Sequence, residues 1–368
     1  MTDVLVYADT FRSPELRHEV PLSVPDPFLY LERDGVRHVV ASSLEAPRLR
    51  ELGLFEVHPY EAFGRDELRA QGLESHEVEL EIAARAVAEV GITAARVPAT
   101  FPLELADRLR AGGVEVTPDR ALFAQRRRVK TPAELAGMRR AQRAAEAAMD
   151  TCRELLRAGG GDLTVERVKT AMNRVFVEHG CTADEFIVAP GAQGAVGHDM
   201  GSGPIRPGVP VIVDIWPRDN ETAVFCDMTR TFVTGDVPAD VREWHRLCKE
   251  ALDRTFAEVR AGASGRAIHE LACDIFEAAG EPTGRTKEPG TVLADGFFHG
   301  LGHGVGLEVH EEPPLGLGEG PAFVAGDVIT LEPGLYRQGY GGVRLEDLVL
   351  VTEDGAENLT HYPYDLEP

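Results

Sequence analysis

Basic residues are scarce in this 368-residue chain: 38 Lys and Arg stand against 61 Asp and Glu, a formal net charge of −23. Neutralising phosphates needs concentrated Lys and Arg, so the balance argues against a nucleic-acid binder and against docking on anionic lipid. No run of 18 apolar residues occurs, which leaves no candidate for a membrane-spanning helix. The opening residues, MTDVLVYADTFRSPELRHEV, lack the charged region, apolar stretch and cleavage site of a secretory signal. Cysteines are few as well. Cys152, Cys181, Cys226, Cys248 and Cys273 are odd in number and scattered, with no Cys-x-x-Cys. A disulfide framework or thiolate zinc site is therefore not expected, and a reducing cytoplasm is the expected compartment. Cys226 has no His or Asn pattern to make it a nucleophile and reads as a small buried residue on a strand.

Hydrophobic residues make up 43% of the chain, enough at this length for two domains, or one with an appendage. The first third reads as mixed α/β. Strand-like runs at Phe28–Arg33 and Val36–Ala41 flank Asp34-Gly35, a hairpin dipeptide. Helical patterns follow at Ala46–Leu52, His76–Val90 and Leu103–Ala111, with a β run at Val114–Thr117. The cluster Arg126-Arg127-Arg128 then reads as solvated surface at a linker. Thr131, Pro132 and Glu134 supply an N-cap, a first-turn proline and a first-turn acid for a helix running to Leu156 and stopping at Gly159-Gly160-Gly161. The boundary is placed there: residues 1–128 form a first domain and 129–368 a second, and most of the acidic excess falls in the second. Beyond it, helices at Thr164–Glu178, Pro238–Val259 and Ser264–Ala279 alternate with β runs at Val211–Ile215, Ala223–Val233, Val328–Leu331 and Gly342–Val351. Short polar turns between such runs suggest antiparallel hairpins, and the class is α+β.

Two of these segments each present a pair of carboxylates on strand-like sequence. Asp214 (VIVDIWP) and Asp227 (CDMTRTF) flank the polar stretch Arg218–Thr222, and Glu332 (LEPGLY) and Glu346 (GGVRLEDLVLVTEDG) flank a Gly-rich one. A charged carboxylate on a buried strand is unfavourable unless a cation or hydrogen-bond donors compensate it. Between the pairs lies HGLGHGVGLEVHEEP, carrying His299, His303 and His310. Its glycines disfavour a helix and suit a strand or loop whose backbone passes close to something. It also lacks the second histidine of a His-Glu-x-x-His zinc signature. Four carboxylates around one imidazole suit two divalent cations with oxygen-dominated ligation, manganese, cobalt or iron(II) ahead of a structural zinc.

Those motifs, together with the linker RRRVKTPAELAGMRRA, resemble the pita-bread-fold metallopeptidases, the family of Xaa-Pro aminopeptidases, prolidases and methionine aminopeptidases, with the metal-free creatinases. The resemblance covers the chain from about Lys130 to the end, and the first domain resembles the smaller creatinase-like domain of the proline-specific members. It implies Asp214, Asp227, His303, Glu332 and Glu346 as metal ligands. Asp227 and Glu346 would bridge two ions, Mn2+ ahead of Co2+, Fe2+ or Zn2+, while Asp214 would serve one ion and His303 with Glu332 the other. Glu332 would also take a proton from the attacking water. His198 would stand near the scissile bond, His310 would contact the substrate carbonyl, and His299 and Arg344 would line the pocket for the second residue. Three departures from the family pattern stand out: the usual Asp-x-Gly is here Asp214-Ile215-Trp216-Pro217, the common Gly-Asp before that strand is Gly208-Val209, and the two aspartates are spaced a little wider than usual.

The resemblance implies hydrolysis of the bond before a trans proline, whose nitrogen has no hydrogen and whose ring fixes φ. Substrates would be proline-containing dipeptides or short peptides, and the subunit would be one of a homodimer. A methionine aminopeptidase has no need of the first domain. Xaa-Pro dipeptidase (prolidase) is favoured slightly over aminopeptidase P acting on longer peptides. A dipeptide's free carboxylate needs a cation, for which Arg37, Arg48 and Arg50 are candidates. A catalytically inactive peptide-binding relative or a creatinase-like amidinohydrolase is disfavoured, because every ligand type is retained.

Overall fold

The computed structural model describes residues 2–159 and 162–368. Gly160 and Gly161, expected to help stop the long helix, lie outside the described residues. The chain divides into two compact units, residues 1–127 and 128–368. None of the described helices is long and apolar enough to cross a membrane.

The first unit runs β1 (Val4–Ala8), α1 (Pro14–Glu19), β2 (Phe28–Arg33), β3 (Val36–Ala41), α2 (Ala46–Glu51), β4 (Glu56–Pro59), α3 (Arg65–Ala70), α4 (Ser75–Val90), β5 (Ala94–Val97), α5 (Leu103–Ala111), β6 (Glu115–Pro118) and α6 (Arg120–Arg128). Its mixed sheet has the order β4-β3-β2-β1-β5-β6. Asp34 and Gly35 both take positive φ (50° and 80°), the twist that lets a two-residue turn join β2 to β3. Strand alternation sends Leu5, Leu29, Leu31 and Val40 into one core with α4 and α5, and Val4, Val6, Phe28, Tyr30 and Val39 into another with Leu16, Leu49 and Phe123. The sheet is thus covered on both faces.

The arginine triplet is not solvated surface. Arg126, at the end of α6, donates to Glu19 and Glu32 at 2.5 and 2.6 Å, and Arg127 is buried. Arg128, also buried, grips the Asp327 carboxylate through Nε (2.9 Å) and Nη2 and donates to the Ala322 carbonyl. Charges of this kind are buried because their carboxylate partners are brought to them by distant parts of the chain.

The second unit opens with α7 (Pro132–Ala158), whose N-terminus carries a reciprocal capping box: Glu134 N–H donates to Thr131 Oγ1 (3.2 Å) and Thr131 N–H to the Glu134 carboxylate (2.8 Å). Next come α8 (Val165–Glu178), β7 (Cys181–Thr182), β8 (Ile187–Pro190), β9 (Pro210–Ile215), β10 (Arg218–Asp219), β11 (Met228–Val233), α9 (Ala239–Phe256) and α10 (Gly265–Ala278). The remaining strands are β12 (Gly302–Gly304), β13 (Glu311–Leu315), β14 (Val328–Leu331), β15 (Gly334–Arg337), β16 (Gly341–Arg344), β17 (Asp347–Val351) and β18 (Ala356–Asn358). All their pairings are antiparallel. One core packs α7 and α8 against β8, β9 and β11, and a second packs α9 and α10 against β13–β17. All five cysteines are buried thiols, and burial raises the Cys226 thiol well above its ordinary pKa.

Two expected strands are shorter than their sequence patterns. Residues 223–227 are not part of β11: Ala223 has φ of 65°, and its N–H closes on the Asp219 carbonyl at 2.8 Å in a tight turn. That turn is held by the buried Asp219 carboxylate, which accepts from Arg140 of α7 (2.9 and 2.8 Å) and from Thr222. The run from residue 342 to 351 is split between β16 and β17 at Leu345-Glu346, where Glu346 N–H leaves the hairpin to donate to the Thr229 carbonyl at 3.0 Å.

Beneath this junction Arg230 is 1% exposed. It donates to the carbonyls of Thr229, Glu346, Tyr362 and Pro363 and to the Asp347 carboxylate at 2.7–3.0 Å. Arg230→Ala leaves Asp347 and four carbonyls without this donor. The expected loss is about 3–5 kcal/mol of stability, the scale of breaking a buried ion pair. Chemical denaturation of the variant against wild type checks it, and a loss below about 1 kcal/mol, the surface-pair scale, would contradict it.

Candidate metal centre

The two acid pairs are presented by two antiparallel ladders. In the first, Asp214 lies opposite Thr229 and Ile215 opposite Met228. Continuing that register one step sets Asp227 opposite Trp216, on the same face as Asp214. In the second, Leu331 pairs with Asp347 and Gly334 with Arg344, so the register is unbroken across the gap and places Glu332 opposite Glu346. The ladders meet where Thr229 bridges Glu346, through the backbone and through a 2.7 Å hydrogen bond from Thr229 Oγ1 to the Glu346 carboxylate. His303 enters from β12, whose glycines allow two backbones to approach: a Cβ on Gly302 would lie 2.1 Å from the Thr330 carbonyl oxygen, and one on Gly304 2.2 Å from that of Glu312.

A cavity of about 690 Å³ opens on this junction. His198, Asp214, Asp227, His299, His303, His310, Glu332, Arg344 and Glu346 all contribute to its wall, so the nine side chains singled out from the sequence are brought together. Asp227, His303 and Glu346 each offer a ligand atom within 4.8 Å of the others. His303 Nε2 stands 3.8 Å from Asp227 and 3.7 Å from Glu332. Asp214 turns one oxygen to Arg344, whose guanidinium also approaches Glu332 at 4.0 Å. The His310 ring meets that of His303 edge-on with centroids 4.2 Å apart.

Electrostatically the cluster is crowded. Burial, then repulsion from the neighbouring acids, raises the carboxyls of Asp227 and Glu346 well above their usual range. Burial pushes Glu332 up to about 8 against the pull of Arg344. His303 is lowered to about 4, chiefly by burial and then by His310, and is a neutral ring near neutral pH. Asp214 Oδ1 and Asp227 Oδ1 are buried with no hydrogen-bond partner.

Residues 136–353 match Metallopeptidase family M24. The chain belongs to that family. This M24 metallopeptidase is 32% identical over 272 residues to the probable dipeptidase PepE of Mycobacterium tuberculosis, a match covering 73% of this chain and 68% of the relative. It is 35% identical over 179 residues to an Xaa-Pro dipeptidase of Pyrococcus furiosus, covering 48% of this chain and 47% of the relative. In fold it is similar to an X-Pro aminopeptidase of Thermotoga maritima, with a TM-score of 0.81 at 21% identity, covering 99% of this chain and 97% of that one. The pita-bread fold expected from the motifs is therefore present.

Family M24 enzymes depend on divalent metal, and the residues of this peptidase fit one. The two orphaned carboxylate oxygens, the neutral His303 and the clustered acids that resist ionising together are what a cation would satisfy.

Several residues that build the site were not singled out from the sequence. Arg344 Nη1 donates to the Tyr336 hydroxyl (2.9 Å), and that hydroxyl bonds His299 Nε2 (2.9 Å), whose Nδ1 is 2.7 Å from the Gly300 carbonyl. Burial, and then the nearby Arg344 charge, lowers His299 to about 3 against the pull of the Gly300 carbonyl, so the ring stays neutral. Tyr336 folds back over Gly334, where a Cβ would lie 2.4 Å from its hydroxyl, so the Gly of LEPGLY is the one sequence signal for it. Thr229, which also accepts from Arg344 Nε at 3.3 Å, left no signal beyond its place in CDMTRTF.

The metal-free protein has a definite pH response. Unfolded, Glu332 releases its proton near its ordinary 4.5, and folded only near 8. Its stabilising contribution is therefore complete below about 4.5 and is lost as pH rises to about 8, with Asp227 and Glu346 acting in the same direction. A saturating divalent ion should raise the thermal midpoint more at pH 8 than at pH 5. An increment independent of pH would contradict this.

Proposed function

We propose that this M24 metallopeptidase is a dinuclear Xaa-Pro peptidase, an Xaa-Pro dipeptidase ahead of an aminopeptidase P, acting on proline-containing dipeptides or short peptides. The observation that carries the reading is the convergence of four carboxylates and the His303 imidazole on a single cavity. Asp214, Asp227, His303, Glu332 and Glu346 would hold the two ions. When bound, such ions polarise a carbonyl and lower the pKa of water. Manganese and a homodimer, both implied by the family resemblance, belong to the same proposal.

The chain's own groups then have distinct tasks. Glu332, whose proton affinity burial has already raised, is suited to accept the proton of the attacking water and pass it to the leaving proline nitrogen. His310, lowered by burial and by His198, is a neutral N–H donor on the cavity wall and suits a developing oxyanion. His198 shares that wall and is assigned to the scissile bond. Arg344 holds Asp214 in place, and the Arg344–Tyr336–His299 chain fixes the wall proposed to receive the proline ring. Trp216, where the family usually has glycine, also lines the cavity and narrows it.

Support for a dipeptidase comes from the two relatives that carry that description. The arginines expected to hold a dipeptide's carboxylate are engaged within the first unit. Arg48 pairs with Glu45 at 2.6 Å, Arg37 lies 3.8 Å from Glu19, and Arg50 donates to the Val57 carbonyl at 3.3 Å.

Hydrolysis of Gly-Pro and Arg-Pro-Pro by the Mn2+-loaded protein separates the two subtypes. The dipeptide should turn over faster, and faster release from the tripeptide would reassign the enzyme to the aminopeptidase P type. Asp227→Ala should lower kcat/KM on either substrate by more than the roughly 10–100-fold that follows the loss of a mere outer-shell partner of a metal ligand. Wild-type activity in that variant would remove Asp227 from the centre.

A further inference from the structure

The first unit contains a second convergence of metal-ligating side chains. His38 lies on β3, and Glu56 and His58 lie on β4, the edge strand of the sheet. The parallel register sets His38 beside Glu56 and Val40 beside His58. Glu56 and His58 are two residues apart on one strand, so both project to the same face, flanking His38. One ligand atom from each of the three lies within 4.8 Å of the others.

His38 Nδ1 is 3.3 Å from His58 Nε2 and 3.3 Å from a Glu56 oxygen, and the two rings are stacked at 24° with centroids 5.6 Å apart. A single ring nitrogen carries at most one hydrogen, which cannot point at both neighbours with good geometry. A cation among the three atoms satisfies all of them. Tetrahedral bonds of about 2.0–2.1 Å hold neighbouring donors about 3.3–3.4 Å apart, the spacing that both His38 contacts show. Burial lowers His38 below the usual imidazole range, so the ring is in the neutral form that metal binding requires. A cavity of about 450 Å³ lies over the cluster, with Asp34 and Glu89 in its wall as well as Arg33, which leaves room for an exchangeable fourth ligand.

We propose that His38, Glu56 and His58 form a second divalent-cation site of the zinc class, made of residues of the first unit alone. Two imidazoles with one carboxylate select zinc, cobalt, nickel or copper over magnesium and calcium, which prefer all-oxygen shells. An ion there would clamp β4 to β3 and keep one coordination position open towards the cavity.

The test uses the full chain, stripped with a chelator and equilibrated against buffered micromolar free Zn2+, with zinc counted per chain by elemental mass spectrometry. The wild type should hold one zinc more than the His38→Gln/His58→Gln variant, while peptidase activity of the two is the same. Glu56→Gln, a substitution at an exposed side chain, should weaken this extra zinc by at least the roughly tenfold produced by losing an outer-shell partner. It also carries the test if the double variant does not fold. Equal zinc counts and affinities in the wild type and the folded variants would overturn the proposal.

Discussion

Four carboxylates share one cavity in the second unit with a single guanidinium, that of Arg344, to offset them. Carboxylate oxygens of Asp227 and Glu346 lie within 4.8 Å of each other, and at an effective dielectric near 20 two like charges so close repel by at least about 3.5 kcal/mol, so the metal-free cluster cannot ionise completely without a large loss of stability. The protons retained by Asp227, Glu346 and Glu332 express that constraint. So do the carboxylate oxygens of Asp214 and Asp227 that find no donor. An arrangement so unfavourable to the empty protein persists only where the rest of the fold enforces it, as at functional sites generally.

The enforcement can be traced strand by strand. Each ladder delivers two acids to one face by the period-two alternation of a strand, and the Thr229–Glu346 bridge locks the ladders together. Arg230 then pins both sides of that bridge from below, so one buried cation supports the backbone while another, Arg344, faces the acids from above. Neither arginine can neutralise the cluster, since together they also serve Asp347, Tyr336 and several carbonyls. The remaining negative charge is what makes the cavity a cation site.

Much of this was legible in the sequence because it is local. Thr131-Pro132-x-Glu134 specifies its capping box within four residues, and Asp34-Gly35 specifies its turn within two. Acids that follow apolar strand residues advertise an unusual environment by contrast with their neighbours, and the glycines around His303 advertise close backbone approach. What was not legible depends on partners far along the chain. The Arg126–Arg128 triplet looked like solvated surface because Glu19, Glu32 and Asp327 are not adjacent in sequence. Residues 223–227 carry strand-like composition, yet the Asp219 turn tied to Arg140 overrides it. Tyr336 and Arg230 have ordinary sequence contexts, and only tertiary contacts give them their tasks.

The central claim is that the second unit's carboxylate cluster works with bound divalent cations. Activity on an Xaa-Pro dipeptide, measured against metal content as Mn2+ is returned to the fully chelated protein, tests it most directly. The account predicts no turnover without metal, and activity that rises with occupancy until two ions are held at the cluster of each chain. Full activity in protein from which all metal has been removed would contradict it.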